Sequence, residues 1–195
     1  KLMNKISLSI LGLLFLVSFT MANHHHPIQF ETIDINLGLS QNSVMTVAKD
    51  MNGFMWFGTE DGLNRYDGIT FKQFRHNPMD SSSINSNSIY SSLLDSQGNL
   101  WIGTYVSGLN KYIDDTESFV HYPHFQLDSL SPGEGSIWGL IEDHEGYIWV
   151  GTSGGGLFRL DPTTGISVPV KSLVTNDETL ADPVVYALFE DHDHQ

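Results

Sequence analysis

The residues best equipped for chemistry fall into small groups. His24, His25 and His26 run together near the start, and His192 and His194 flank Asp193 near the end. Imidazoles bind transition metals, but neither set has partners at ligand spacing. The first reads as a terminal segment and the second as a turn, so no metal site is expected. Asp50, Asp95 and Asp143 each stand three residues before a glycine, like the opening of a calcium loop. A calcium loop needs more oxygens within about 12 residues and a closing Glu. These segments stop after four residues and read as turns, in which Asp accepts from backbone N–H groups and Gly supplies a positive φ. Gly154-Gly155-Gly156 suggests a phosphate cradle, but no Lys follows and no helix pattern begins there. Ser, His and Asp are all present without a Gly-x-Ser-x-Gly elbow. No catalytic residue and no cofactor are expected, and this part of the protein is not expected to be an enzyme. What remains is a set of ligand-binding candidates: Glu60, Asp61, Tyr105, Val106, Ser107 and Ser153.

Those candidates occupy equivalent turns of a repeat. Asp50-x-x-Gly53-x-x-Trp56-x-Gly58-Thr59, Asp95-x-x-Gly98-x-x-Trp101-x-Gly103-Thr104 and Asp143-x-x-Gly146-x-x-Trp149-x-Gly151-Thr152 line up, each followed by Gly-Leu and a basic residue. The tryptophans are 45 and then 48 residues apart. A similar strand precedes each aspartate: Ser43–Val47, Ser88–Ser92, Ser136–Leu140 and Pro183–Ala187. The stretch from residue 54 to 59 is apolar on both faces, which fits a strand buried on both sides. Each unit therefore reads as four short strands, and four strands per ~45 residues is a β-propeller blade. The expected fold is all-β, with blades at about 43–75, 88–122 and 136–171 and a fourth beginning near 183–195. Trp56, Trp101 and Trp149 are expected to fill the wedges between blades. Three blades and a fraction cannot close a ring of 4–8, so the chain is expected to be the N-terminal piece of a longer protein, residues 28–35 supplying an outer strand to the last blade.

Strand alternation assigns the loops to two faces. The turns between second and third strands open on the same face as the long connectors, His76–Asn87, Pro123–Gly135 and Ser172–Asp182. The Asp-x-x-Gly turns and the Asp67-Gly68 turn lie opposite. Long loops on a rigid scaffold are where binding groups collect. Acids and an aromatic around a funnel suit a polar neutral or cationic ligand, such as a glycan stacked on Tyr105.

Composition narrows the partners. The chain has 195 residues, 9 Lys and Arg against 23 Asp and Glu, and a formal net charge of −14. Nucleic acid and anionic lipid surfaces both require clustered cations, so neither is expected as a partner. With no cysteine, disulfides and thiolate chemistry are excluded. Lys1 and Lys5, the apolar stretch from Ile6 to Phe19 and Thr20-Met21-Ala22 form the pattern of a secretory signal peptide over residues 1–22, and the product is expected to be exported.

Residues 37–68, with Leu37-Gly-Leu-Ser-Gln-Asn-Ser-Val44 leading into the first Asp-x-x-Gly-x-x-Trp-x-Gly-Thr unit, resemble the opening of the two-component regulator propeller family; the second and third repeats resemble its blades. The resemblance implies a periplasmic sensor propeller of an inner-membrane signalling protein. Its membrane span and output domain, a histidine kinase or a diguanylate cyclase, would follow downstream, and the full-length protein would be a homodimer. Two other readings of a secreted propeller stand beside it: an enzyme acting on polysaccharide, as lyase or glycosidase, and a protein-binding scaffold.

Overall fold

The computed structural model describes residues 30–122, 135–170 and 184–192. The signal-peptide segment, His24–His26, residues 28 and 29 and His194 lie outside them, as do the connectors at 123–134 and 171–183; residues 30–34, expected as part of an outer strand, are described and carry no regular secondary structure. The chain divides into two compact units, Lys1–Thr32 and Ile33–Gln195. Of the first, only residues 30–32 are described, without regular secondary structure.

The second unit is built of strands. After a short 3-10 turn (Ile35–Leu37), capped by the Asp34 carboxylate and ended by Gly38 at φ +106, the chain forms twelve strands among the described residues. They are β1 (Val44–Lys49), β2 (Met55–Thr59), β3 (Gly62–Tyr66), β4 (Phe71–Phe74), β5 (Ile89–Leu94), β6 (Leu100–Thr104), β7 (Leu109–Ile113), β8 (Ser118–Tyr122), β9 (Ile137–Glu142), β10 (Ile148–Thr152), β11 (Leu157–Leu160) and β12 (Ser167–Pro169). They make three antiparallel sheets of four, each in sequential order. These are β-propeller blades, as the repeat requires.

One side chain organises each blade's first turn. Asp50 Oδ1 accepts from the backbone N–H of Asn52 and of Phe54, both at 2.9 Å, and Oδ2 accepts from Trp56 Nε1 at 2.7 Å. Asp95 repeats this with Gln97, Asn99 and Trp101 Nε1 (2.8 Å), and Asp143 with Glu145, Tyr147 and Trp149 Nε1 (2.6 Å). Gly53, Gly98 and Gly146 close the turns at φ between +83 and +91, a conformation that costs glycine little. The aspartate thus fixes both the turn and the indole six residues later.

The glycine after each tryptophan lets blades meet. A Cβ on Gly58 would lie 2.5 Å from Ile89, one on Gly103 2.6 Å from Ile137, and one on Gly151 2.8 Å from Val185. Close approach of a neighbouring strand is a recognised use of glycine within a strand. Around these contacts sit two cores. Trp56, Leu63 and Phe74 of the first blade pack on Ile89, Ile102, Tyr112 and Phe119 of the second. Trp101 and Leu109 of the second pack on Ile137, Val150 and Phe158 of the third. Trp56 and Trp101 are 1% and 0% exposed. Trp149 is only half-buried, in a groove beside Leu188 and Phe189. Segment 184–192 takes the place of a next inner strand, though none of its described residues is in a strand: Val185 N–H donates to Thr152 O at 2.9 Å, and Leu188 lies against Gly139.

Candidate functional site: an aromatic rim at the head of the inner strands

The inner strand of every blade carries the same irregularity. Val44 pairs with Thr59, but Thr46 pairs with Gly58. Ile89 pairs with Thr104 and Ser91 with Gly103; Ile137 pairs with Thr152 and Gly139 with Gly151. Met45, Tyr90 and Trp138 are therefore surplus residues in β-bulges. A bulge takes one residue out of the ladder and re-aims its side chain, often next to a functional site. Tyr186 follows Val185 as Tyr90 follows Ile89, so it holds the equivalent position in segment 184–192.

The re-aimed rings meet one another. Tyr90 lies 5.6 Å from Tyr105 and 4.6 Å from Trp138, centroid to centroid, and Trp138 lies 5.5 Å from Tyr186. Tyr105 and Tyr186 are 48% and 68% exposed; Tyr90 and Trp138 are half-buried. Four rings from the second blade, the third blade and segment 184–192 thus form a continuous row. Trp138 Nε1 is buried with no hydrogen-bond partner among the described residues, although a buried indole N–H ordinarily has one. The Tyr90 phenol is pushed above its ordinary value, first by burial and then by the facing Glu60 carboxylate and Tyr105.

The sequence-selected candidates sit around this row to different effect. Glu60 and Tyr105 each follow a Gly-Thr pair and converge on Tyr90. Asp61 turns outward: Arg75 Nη2 donates to its carboxylate at 2.8 Å and Arg75 Nε to its carbonyl at 3.0 Å. Ser107 gives its carbonyl to the Asn85 side-chain amide. Val106 occupies φ +62, costly for a β-branched residue, with its N–H on Ser136 Oγ. Ser153 stands in register with Glu60 and Tyr105, and its N–H donates to Ser136 O at 2.9 Å. Tyr90, Trp138 and Tyr186 were not among the candidates. The signal for them was present: the residue five places before each of Asp50, Asp95, Asp143 and Asp191 reads Met45, Tyr90, Trp138 and Tyr186, and Trp138 is the tryptophan outside the repeat motif.

Buried amides fasten the loops that frame the rim. Asn64 and Asn110, both 0% exposed, accept from Ser40 N–H (2.9 Å) and Asn85 N–H (3.2 Å) and donate back to the Ser40 and Asn85 side chains. The third blade has Phe158 at this register, which offers no amide.

Comparison with known proteins agrees with this architecture. The two component regulator propeller family matches at residues 38–61, 83–106 and 131–154. A stretch of 47 residues, 24% of this chain and 3% of the relative, is 57% identical to histidine kinase P4 of Formosa agariphila. The extracellular domain of a hybrid two component system from B. thetaiotaomicron is 29% identical, with a TM-score of 0.69 over 84% of this chain and 23% of that one. Another extracellular domain from B. thetaiotaomicron, of a one component system, shares the fold at 23% identity and a TM-score of 0.62, over 85% of this chain and 21% of that one. The chain therefore spans under a quarter of the length of these relatives.

Proposed function

We infer that this protein, built from two component regulator propeller repeats, is a ligand-sensing part of an exported signalling receptor, and that the aromatic rim is where ligand is read. The observation that carries the reading is the row Tyr105–Tyr90–Trp138–Tyr186, whose two middle rings come from β-bulges. Partly exposed rings grouped at one end of the strands offer aromatic surface on which a ligand can stack. Export rests on the pattern of residues 1–22 and on the likeness to an extracellular domain at 29% identity. Histidine kinase output is the reading suggested by the stretch shared with the Formosa agariphila kinase. The part described binds and does not catalyse; its ligand is small and polar, glycans being the first class to screen.

Calorimetric titration with mono- and oligosaccharides tests the site. Tyr105→Ala and Trp138→Ala should weaken binding by about tenfold or more, equivalent to ~1.4 kcal/mol. Asn52→Ala and Gln97→Ala, in the turns at the opposite end of the strands, should leave it unchanged. The reverse pattern would sink the assignment.

A further inference from the structure

We propose that the group seated at the aromatic rim is an organic cation, a protonated or quaternary amine of the kind carried by amino sugars and amino alcohols. This deepens the sensing reading and rests on it. The argument is electrostatic. The faces of four aromatic rings carry partial negative charge and attract a cation held over them. Glu60, exposed and facing Tyr90, adds a full negative charge, and no lysine or arginine pairs with it among the described residues. The neighbouring Asp61 is already neutralised by Arg75.

The cations of the described residues are committed elsewhere. Arg65 and Lys72 bind Glu117 on the outer strands. Lys111 lies over Trp101 at 5.5 Å and Arg159 over Tyr147 at 4.3 Å. Lys49 ends β1, beside the Asp50 turn. None is contributed by β5, β9 or the turns after β2, β6 and β10; Arg75 reaches the turn after β2 and is held there by the Asp61 carboxylate and carbonyl. An anionic ligand would meet uncompensated repulsion at Glu60, and a neutral one would gain stacking alone. A cation gains stacking, ring electrostatics and the carboxylate together, and the −14 charge of the chain favours its approach.

The test uses two isosteric pairs: choline against 3,3-dimethylbutan-1-ol, and glucosamine against glucose. Each is titrated into the intact protein in mildly acidic, low-salt buffer, with tryptophan fluorescence and calorimetry as readouts. The cation of at least one pair should bind about tenfold more tightly than its neutral twin, the scale of a desolvated cation–π contact. Glu60→Gln should reduce that preference, leaving the part that the ring faces supply; circular dichroism verifies the fold of the variant. Preference for choline identifies an amino-alcohol head and preference for glucosamine an amino sugar. Equal binding within both pairs, an unaffected preference in Glu60→Gln, or no binding by any of the four overturns the cation proposal. The sensing reading falls separately, if Tyr105→Ala and Trp138→Ala leave every saccharide or amine affinity unchanged.

Discussion

The two ends of the blades obey different rules. At the Asp-x-x-Gly end, all three turns repeat the same bonds: Asp50, Asp95 and Asp143 each take two backbone N–H groups on one oxygen and an indole on the other. At the rim end, the residue after Gly-Thr is Glu60, then Tyr105, then Ser153, and the bulged residue is Met45, then Tyr90, then Trp138. The cause is what the side chains bond to. A carboxylate that satisfies backbone donors is demanded by the chain path itself, so every copy of the turn needs it. A side chain lifted out of the ladder satisfies no backbone group, and each blade can hold a different one. Repetition therefore marks scaffold, and difference within the repeat marks the place where recognition is built.

The contrast breaks most visibly at the tryptophans, where the same motif meets different neighbours. Trp101 is closed in by the third blade and is 0% exposed, while Trp149 borders the groove with Leu188 and Phe189. Trp101→Ala should cost about 3–5 kcal/mol in denaturant unfolding, the range for removing a large core aromatic. Trp149→Ala, giving up less buried surface, should cost under about 2 kcal/mol. Equal losses would mean that the motif alone sets stability, independent of the facing blade.

A smaller loss is expected at the turn. Asp95, 3% exposed, has donors on both oxygens: Gln97 N–H, Asn99 N–H and the Asn99 amide on one side, Trp101 Nε1 and the same amide on the other. Asp95→Asn keeps the shape but puts an NH2 group against a donor whichever way it is flipped. The expected cost is about 2–3 kcal/mol, the scale for a lost bond to a buried charged group, read from the denaturation midpoint. A variant as stable as the parent would show that the carboxylate is dispensable to the turn.

The scaffold was legible because its determinants are local. Asp at a fixed distance from Gly and Trp writes a turn, and the apolar strand after it writes a blade buried on both faces. The indole–carboxylate bond could also have been found, since Asp and Trp keep a spacing of six in all three copies. The rim was only half legible. Glu60 and Tyr105 follow from turn position, but Tyr90 and Trp138 owe their orientation to bulges. Strict alternation would have assigned them to a blade face, and only the pairing register reveals the surplus residue. Asp61 misled for the converse reason: its exposed turn position says nothing of Arg75, 14 residues on, which takes its charge.

The smallest effect expected lies where the third blade meets segment 184–192. His144 Nδ1 is 2.5 Å from Glu190 Oε1, and Ser96 contacts Glu142 in the corresponding place one blade earlier. The hydrogen bond to Glu190 raises the His144 pKa above its ordinary value; burial opposes it, and the charges of Glu190, Glu145 and Asp143 reinforce it. A histidine whose folded value is raised stabilises the protein fully below its unfolded value, near 6.5. That contribution is lost as pH climbs through the raised folded value. The carboxylates held low by their turns and partners, Asp67, Asp80, Asp161 and Glu117, act in the opposite sense and only in acid, so they do not obscure this window. Denaturation midpoints should therefore fall slightly between about pH 6 and about pH 8, and His144→Gln should flatten the decline. The pair is exposed, so added salt should shrink the effect in the parent. The Ser96–Glu142 contact, with no titrating imidazole, supplies the internal comparison: Ser96→Ala should leave the slope over this window unchanged. If His144→Gln keeps the full slope, the contact between blade three and the following segment does not depend on the imidazolium.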